Sequence, residues 1–249
     1  VARFGRAPLG PQLANVLSAL AACVLGWCAY AAYARLAEKR GPRALGEFGR
    51  QGALAELAAG LAIGAAVFGA SLAVLAALGL YKIHGTREAS VMIIPLAQSI
   101  GAGVIEEILF RGAIFRIIES SLGTWLALLI SSVLFGLVHL GNPHATVLGA
   151  VAIIFEAGIM RAAAYLLTRR LWLAIGIHIG WNFTQGGVFS VPVSGTFSKG
   201  YFDATLTGPE WLSGGVFGVE GSIVAVVLCV ALGLGLLRAA AQRGHFIAP

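Results

Sequence analysis

The feature that most constrains this chain is the repetition of long apolar runs, each of roughly twenty residues, the length that crosses a bilayer as a helix. Seven such runs are read at about 13–34, 54–81, 90–118, 122–140, 145–168, 171–189 and 215–238. Only 11% of the 249 residues are charged and 58% are hydrophobic, with a mean hydropathy of +0.87. That leaves too few charges to solvate a soluble domain. The expected fold is therefore all-α: a polytopic transmembrane helical bundle of about seven spans, with eight as the alternative. It is read as a single integral membrane domain over residues 1–249.

The basic residues follow the same plan. The net charge of +6 would suggest nucleic acid in a soluble protein, but here Lys and Arg cluster between apolar runs, and no nucleic-acid partner is expected. A seven-span topology puts ten basic residues on one side: Arg35, Lys39, Arg40, Arg43 and Arg50 of the 35–53 connector, then Arg116, Arg169, Arg170, Arg238 and Arg243. The other side receives five: Arg3, Arg6, Lys82, Arg87 and Lys199. The positive-inside rule places the C-terminus in the cytoplasm. Arg3 and Arg6 ahead of an apolar run could pass for a signal peptide. The run from Leu13 to Ala34 is too long for one, and basic residues follow it directly, so it is read as a retained span. Cys23, Cys28 and Cys229 each lie in an apolar run and are read as small core residues. The 35–53 connector, with Gly41-Pro42, could form a short amphipathic surface helix. The 190–214 connector, rich in Gly, Ser, Thr and Pro, reads as a loop, with a re-entrant segment as the alternative.

Ionisable residues inside such runs are costly, about 2.5–3.5 kcal/mol each, and mark functional sites or buried pairs. The third run contains Glu106-Glu107-Ile108-Leu109-Phe110-Arg111, the fourth ends in Phe135-Gly136-Leu137-Val138-His139, and the sixth holds His178-Ile179-Gly180-Trp181-Asn182. Glu107 and Arg111 are four apart and can pair on one helical face. Glu106 is turned about 100° from Glu107 and is left for chemistry. His178 and Asn182 also share a face. Counted from the turn near Ser121-Leu122-Gly123, Glu106 and His139 fall at similar depths. Gly101, Gly103, Gly112, Gly136, Gly176 and Gly180 would let these helices approach closely. The bland readings are a structural Glu107–Arg111 pair, a helix-end His139, and Glu156 and Arg161 as partners of other helices. His84, His144 and His245 carry no signal. Function rests on the set, since each member alone is weak.

The three patterns E-E-x-x-x-R, F-x-x-x-H and H-x-x-x-N, in that order on successive apolar helices, resemble the CPBP family: the CAAX proteases and bacteriocin-processing enzymes, also called Abi, with the type II CAAX prenyl endopeptidases among them. Thr168-Arg169-Arg170-Leu171-Trp172 and Thr207-Gly208-Pro209-Glu210-Trp211 also look like bacterial members, so a bacterial plasma membrane is the expected location. The motif-bearing core covers about 90–189. The resemblance implies a glutamate-dependent intramembrane endopeptidase. Glu106 and His139 would activate a water, His178 and Asn182 would stabilise the oxyanion, and Glu107 and Arg111 would support the site. A carboxylate in apolar surroundings is a competent acceptor for a water proton, and aimed donors stabilise a tetrahedral intermediate.

No cofactor is required on this reading. A divalent metal such as zinc, held by Glu106, His139 and His178, is the alternative; H-E-x-x-H is absent, and Asn is a poor zinc ligand. The expected partners are the lipid bilayer and a membrane-associated or peptide substrate. Two competing functions stand beside the protease: a non-proteolytic binding or immunity protein on the same fold, and a proton-coupled transporter.

Overall fold

A computed structural model describes residues 9–41 and 45–249. Arg3, Arg6, Pro42 and Arg43, used above, lie outside the described residues. In lipid, every backbone N–H and C=O must find a partner within the chain, and helices satisfy this locally. The chain forms α1 (Leu9–Leu36), α2 (Ala53–Ala77), α3 (Ile93–Glu107), α4 (Arg116–Val138), α5 (Val147–Ile153), α6 (Met160–Thr168), α7 (Trp172–Asn182), α8 (Glu210–Ser213) and α9 (Ile223–Gln242). Three π-helical segments interrupt or extend them. Ile108–Phe115 joins α3 to α4, Ile154–Ile159 joins α5 to α6, and Phe183–Val188 continues α7.

Among the described residues, five helical runs are long and apolar enough to cross a membrane: Gly10–Leu36, Ala53–Ala77, Ala89–Gly141, Val147–Thr168 and Ile223–Gln242. The longest of them turns at Gly123, whose φ of 77° breaks α4 where the sequence anticipated a turn. Leu13, Leu17, Leu20 and Val24 on α1, Leu129 and Leu137 on α4, and Val227 and Leu234 on α9 point outward. Outward apolar surface on this scale belongs in lipid, and the protein is an all-α integral membrane protein. Cys28 corrects the reading of the cysteines as core residues: it is exposed on α1, while Cys229 is buried.

Two short strands were not foreseen. The expected 54–81 span ends early, at Ala77, and Gly79 (φ 76°) turns the chain into β1 (Tyr81–Thr86). The connector read as a loop supplies β2 (Phe202–Leu206), antiparallel to β1, with Tyr81 opposite Leu206 and Thr86 opposite Phe202. Arg87 fixes the junction by donating to the carbonyls of Gly200 (3.0 Å) and Phe202 (2.8 Å).

The tightest helix contact is α2 on α7. Gly60 and Gly64 on α2 meet Gly176 and Gly180 on α7. A Cβ at Gly64 would lie 2.2 Å from the Ile177 carbonyl oxygen, and one at Gly180 2.3 Å from that of Leu61. Backbones can approach this closely only where no side chain intervenes. As a result α7 is buried at every residue from Leu173 to Asn182.

One end of the bundle gathers the basic residues. Arg116 bonds Glu38 (2.5 Å), Arg169 bonds Glu119 (2.6 Å), Arg170 pairs with Glu56, and Arg40 pairs with Glu47 (2.8 Å). The C-terminal residues join this end: Thr124 N donates to Ile247 O (3.0 Å), and Arg243 donates to Leu167 O (3.1 Å). Burial alone would raise the Glu47 carboxyl, but hydrogen bonds from Arg40 and Tyr30 outweigh it and hold the group below its ordinary range. The sheet lies at the opposite end, since α2 rises about 32 Å from Glu56 to Ala77, just ahead of β1.

Candidate active site

Glu106 and Glu107 close α3 at the point where the backbone widens into the π segment. Their environments differ as the helical spacing anticipated. The Glu107 side chain is 0% exposed, whereas that of Glu106 is 31% exposed and faces an internal cavity. Glu107 accepts from Arg111 at 3.1 Å, and Arg161 lies 3.8 Å from the same oxygen. Arg111 also donates to the carbonyls of Ala157 (3.1 Å) and Gly158 (3.0 Å). Glu106 pairs with neither arginine, and its Oε2 is a buried oxygen without a hydrogen-bond partner.

Glu107 has a second partner that the sequence did not reveal. His178 Nδ1 donates to it at 2.9 Å, which turns His178 Nε2 toward Glu106 Oε2, 3.8 Å away. The bond made by one ring nitrogen fixes what the other can do. His139 is set in the same way, its Nδ1 donating to the Phe135 carbonyl at 2.7 Å. Phe135 is fully buried at the hub. Its ring packs on His139 (4.8 Å) and His178 (6.4 Å), and the guanidiniums of Arg111 and Arg161 lie over it at 4.6 and 4.7 Å. This explains the aromatic residue of the F-x-x-x-H pattern.

The cavity has a volume of about 430 Å³, and Glu106, His139, His178, Asn182, Arg161 and Glu220 all line it. All four residues expected to carry the chemistry therefore meet in one space, with Glu107 and Arg111 packed behind. Arg161, read from sequence as a helix partner, also reaches the cavity. Glu220 was not singled out, although it shares the signal of the others, an ionisable residue within an expected span (215–238). Its flanking glycines blurred where that span began. His178 and Asn182 lie one turn apart on α7, and their positions follow from the glycine contacts that seat α7 on α2.

Among the described residues no three His, Cys, Asp or Glu side chains converge as a ligand set; His178 and His139 bond Glu107 and the Phe135 carbonyl through Nδ1, which leaves Nε2 of each uncommitted.

Residues 88–184 match the family described as Type II CAAX prenyl endopeptidase Rce1-like. A protein of Bacillus subtilis (strain 168), named "Putative membrane peptidase YdiL", is 30% identical over 122 residues, which is 49% of this chain and 46% of that protein. The chain thus spans about half the length of the curated relative it matches. No solved structure matches. The matched stretch includes Glu106, His139, His178 and Asn182, so the family match falls on the residues whose three motifs resemble the CPBP proteases.

Proposed function

We propose that this protein is an intramembrane endopeptidase in which Glu106 activates a water for attack on a peptide bond. The observation that carries this reading is the convergence of Glu106, His139, His178 and Asn182 on one cavity inside an apolar helical bundle. Glu106 takes the proton from water, and His139, through Nε2, orients that water. Attack on the carbonyl carbon develops an oxyanion. Asn182 donates to it from its side-chain amide. His178 enters and leaves the cycle as the imidazolium, with Nδ1–H on the Glu107 carboxylate that matches its charge, and donates to the oxyanion from Nε2–H, so it draws no proton from the reaction. Glu106 then returns its proton to the leaving amine, so the cycle closes without an acyl-enzyme.

No step needs a metal. The metal alternative is tested by assaying the purified protein with and without a chelator: activity lost on chelation and restored by zinc would overturn this mechanism. The central test is cleavage of membrane peptides by the wild-type protein and by Glu106→Ala, followed by mass spectrometry of the products. Cleavage that survives Glu106→Ala would sink the assignment. Uptake into proteoliposomes that depends on Glu106, without cleavage, would favour a transporter instead.

The orientation follows from charge. The basic end, with Arg116, Arg169, Arg170 and Arg243, faces the cytoplasm of a bacterial cell, and the C-terminus lies there. The cavity is lined by α3, the end of α4, α7 and the 193–198 segment. The substrate is a peptide or a membrane-protein segment. Reporters fused at the C-terminus and in the 35–53 connector should both read as cytoplasmic; reporters reading on opposite sides would refute the topology.

A further inference from the structure

One wall of the cavity is a tight turn, Val193-Ser194-Gly195-Thr196, closed by Val193 N donating to Thr196 O (2.9 Å) and Thr196 N to Val193 O (2.8 Å). Both central residues have positive φ, 46° at Ser194 and 81° at Gly195. Glycine adopts this conformation freely, whereas for a residue with a Cβ it is costly and persists only where surrounding contacts enforce it. At Ser194 the enforcing contact is Glu220. A single carboxylate oxygen accepts from both Ser194 N (2.5 Å) and Ser194 Oγ (3.1 Å). The turn's other central groups are also tied: Asn142 donates to Ser194 O (2.8 Å), Gly195 N donates to Phe217 O (2.7 Å), and His144 Nδ1 donates to Gly195 O (2.9 Å). Glu220 itself sits in the 3-10 turn Val219–Gly221, directly before Ser222, which caps α9 by accepting from Val224 N (3.1 Å).

We propose that Glu220 is a positioning residue: acting through Ser194, it holds the Val193–Thr196 turn as a closed wall of the substrate cavity. Glu220 lies outside the 88–184 segment that supplies the motif residues. The inference rests on the reading of this cavity as the peptide site. The wall confines the substrate and does not touch the reacting bond, so its loss is felt in substrate binding.

The experiment uses the full chain, purified, as wild type, Glu220→Ala, Glu220→Gln and the double variant Glu220→Ala/Ser194→Gly. Peptidase kinetics are measured on each. Maleimide labelling of Val193→Cys is measured in parallel, in a Cys23→Ser, Cys28→Ser, Cys229→Ala background. Loss of hydrogen bonds to a charged group predicts that Glu220→Ala raises KM about ten- to a hundredfold, with kcat changed by less than about threefold, and speeds labelling by a similar factor. Glu220→Gln keeps an acceptor oxygen and should recover part of the loss. The double variant should recover most of it, because glycine takes the left-handed conformation without Glu220. Global destabilisation by Glu220→Ala would not be repaired at Ser194. A double variant as impaired as Glu220→Ala, a defect confined to kcat, or unchanged labelling would each overturn the proposal. If Glu220→Ala fails to fold, Glu220→Gln and Ser194→Ala, which removes the Oγ bond alone, carry the same comparison. If labelling responds as expected but no variant cleaves peptide in a Glu106-dependent way, the protease reading fails and the wall assignment stands.

Discussion

The two adjacent glutamates should fail in different ways when replaced by alanine. Glu106→Ala removes a cavity-facing carboxylate that pairs with neither arginine, and the cost to folding should be small. Glu107→Ala removes the one carboxylate bonded to Arg111, whose side chain is 1% exposed, and also the partner of His178 Nδ1. Arg111 would keep its two carbonyl acceptors but lose its counter-charge. Breaking a buried pair from one side costs about 3–5 kcal/mol. For a chain of this size each kcal/mol moves Tm by about 2–4 °C, so a fall on the order of 10 °C is expected. The assay is purified yield, melting temperature in detergent and peptidase rate for both variants. Glu106→Ala should be folded and inactive; Glu107→Ala should be unstable and inactive. If Glu106→Ala stays active while Glu107→Ala loses activity at full stability, the roles are inverted and Glu107 is the residue that meets the water.

The remaining expectations concern the oxyanion donors, the helix seat and the basic end. Asn182→Ala should lower kcat by about 10²–10³-fold with little change in KM, because the donor acts in the transition state; a pure KM effect would remove Asn182 from that role. Gly64→Ala would place a Cβ 2.2 Å from the Ile177 carbonyl oxygen, and forced repacking of this kind costs about 1–3 kcal/mol or more; unchanged Tm and activity would show that α7 is not seated this way. Glu47 is held below its ordinary range by Arg40 and Tyr30. Its contribution to stability is therefore present above the unfolded carboxyl value, about 4.3, and is lost as pH falls through the lower folded value. Glu47→Gln should flatten the acid side of the stability profile, and a profile identical to wild type would refute the linkage.

The parts of this fold that were legible in the sequence are those set by local rules. Apolar runs of spanning length declared helices, and Gly123 declared the turn within the longest one. The spacing of Glu107 and Arg111 declared the pair and left Glu106 to the cavity. Features that depend on distant partners were not legible. β2 is five residues long and takes its meaning from β1, more than a hundred residues earlier. His178 was read beside Asn182 on one helical face, but its bond to Glu107 joins two helices 71 positions apart. Gly60 and Gly64 were passed over because glycine is common throughout the chain, with 34 in all, and only the partner helix shows which glycines matter.

The π segments show how this bundle holds two guanidiniums in apolar surroundings. A regular helix commits each interior carbonyl to the N–H four residues on and offers a buried arginine little to bond. Where the backbone widens into a π turn, that ladder is broken and carbonyl oxygens become available. Ala157 and Gly158 lie in the π segment Ile154–Ile159, and these are the two carbonyls that accept from Arg111; Ala157 also accepts from Arg161 Nε at 3.4 Å. Arg111 itself rises from another π segment, Ile108–Phe115. Irregular backbone inside a membrane is tolerated where it faces protein or a cavity, and here it supplies acceptors that offset part of the cost of burying charge. With Arg111 bound on both sides, Glu107 stays ion-paired and can hold the Nδ1 of His178. The geometry of the cavity wall that bears His178 and Asn182 therefore depends on the Ala157 and Gly158 carbonyls that hold Arg111 in place.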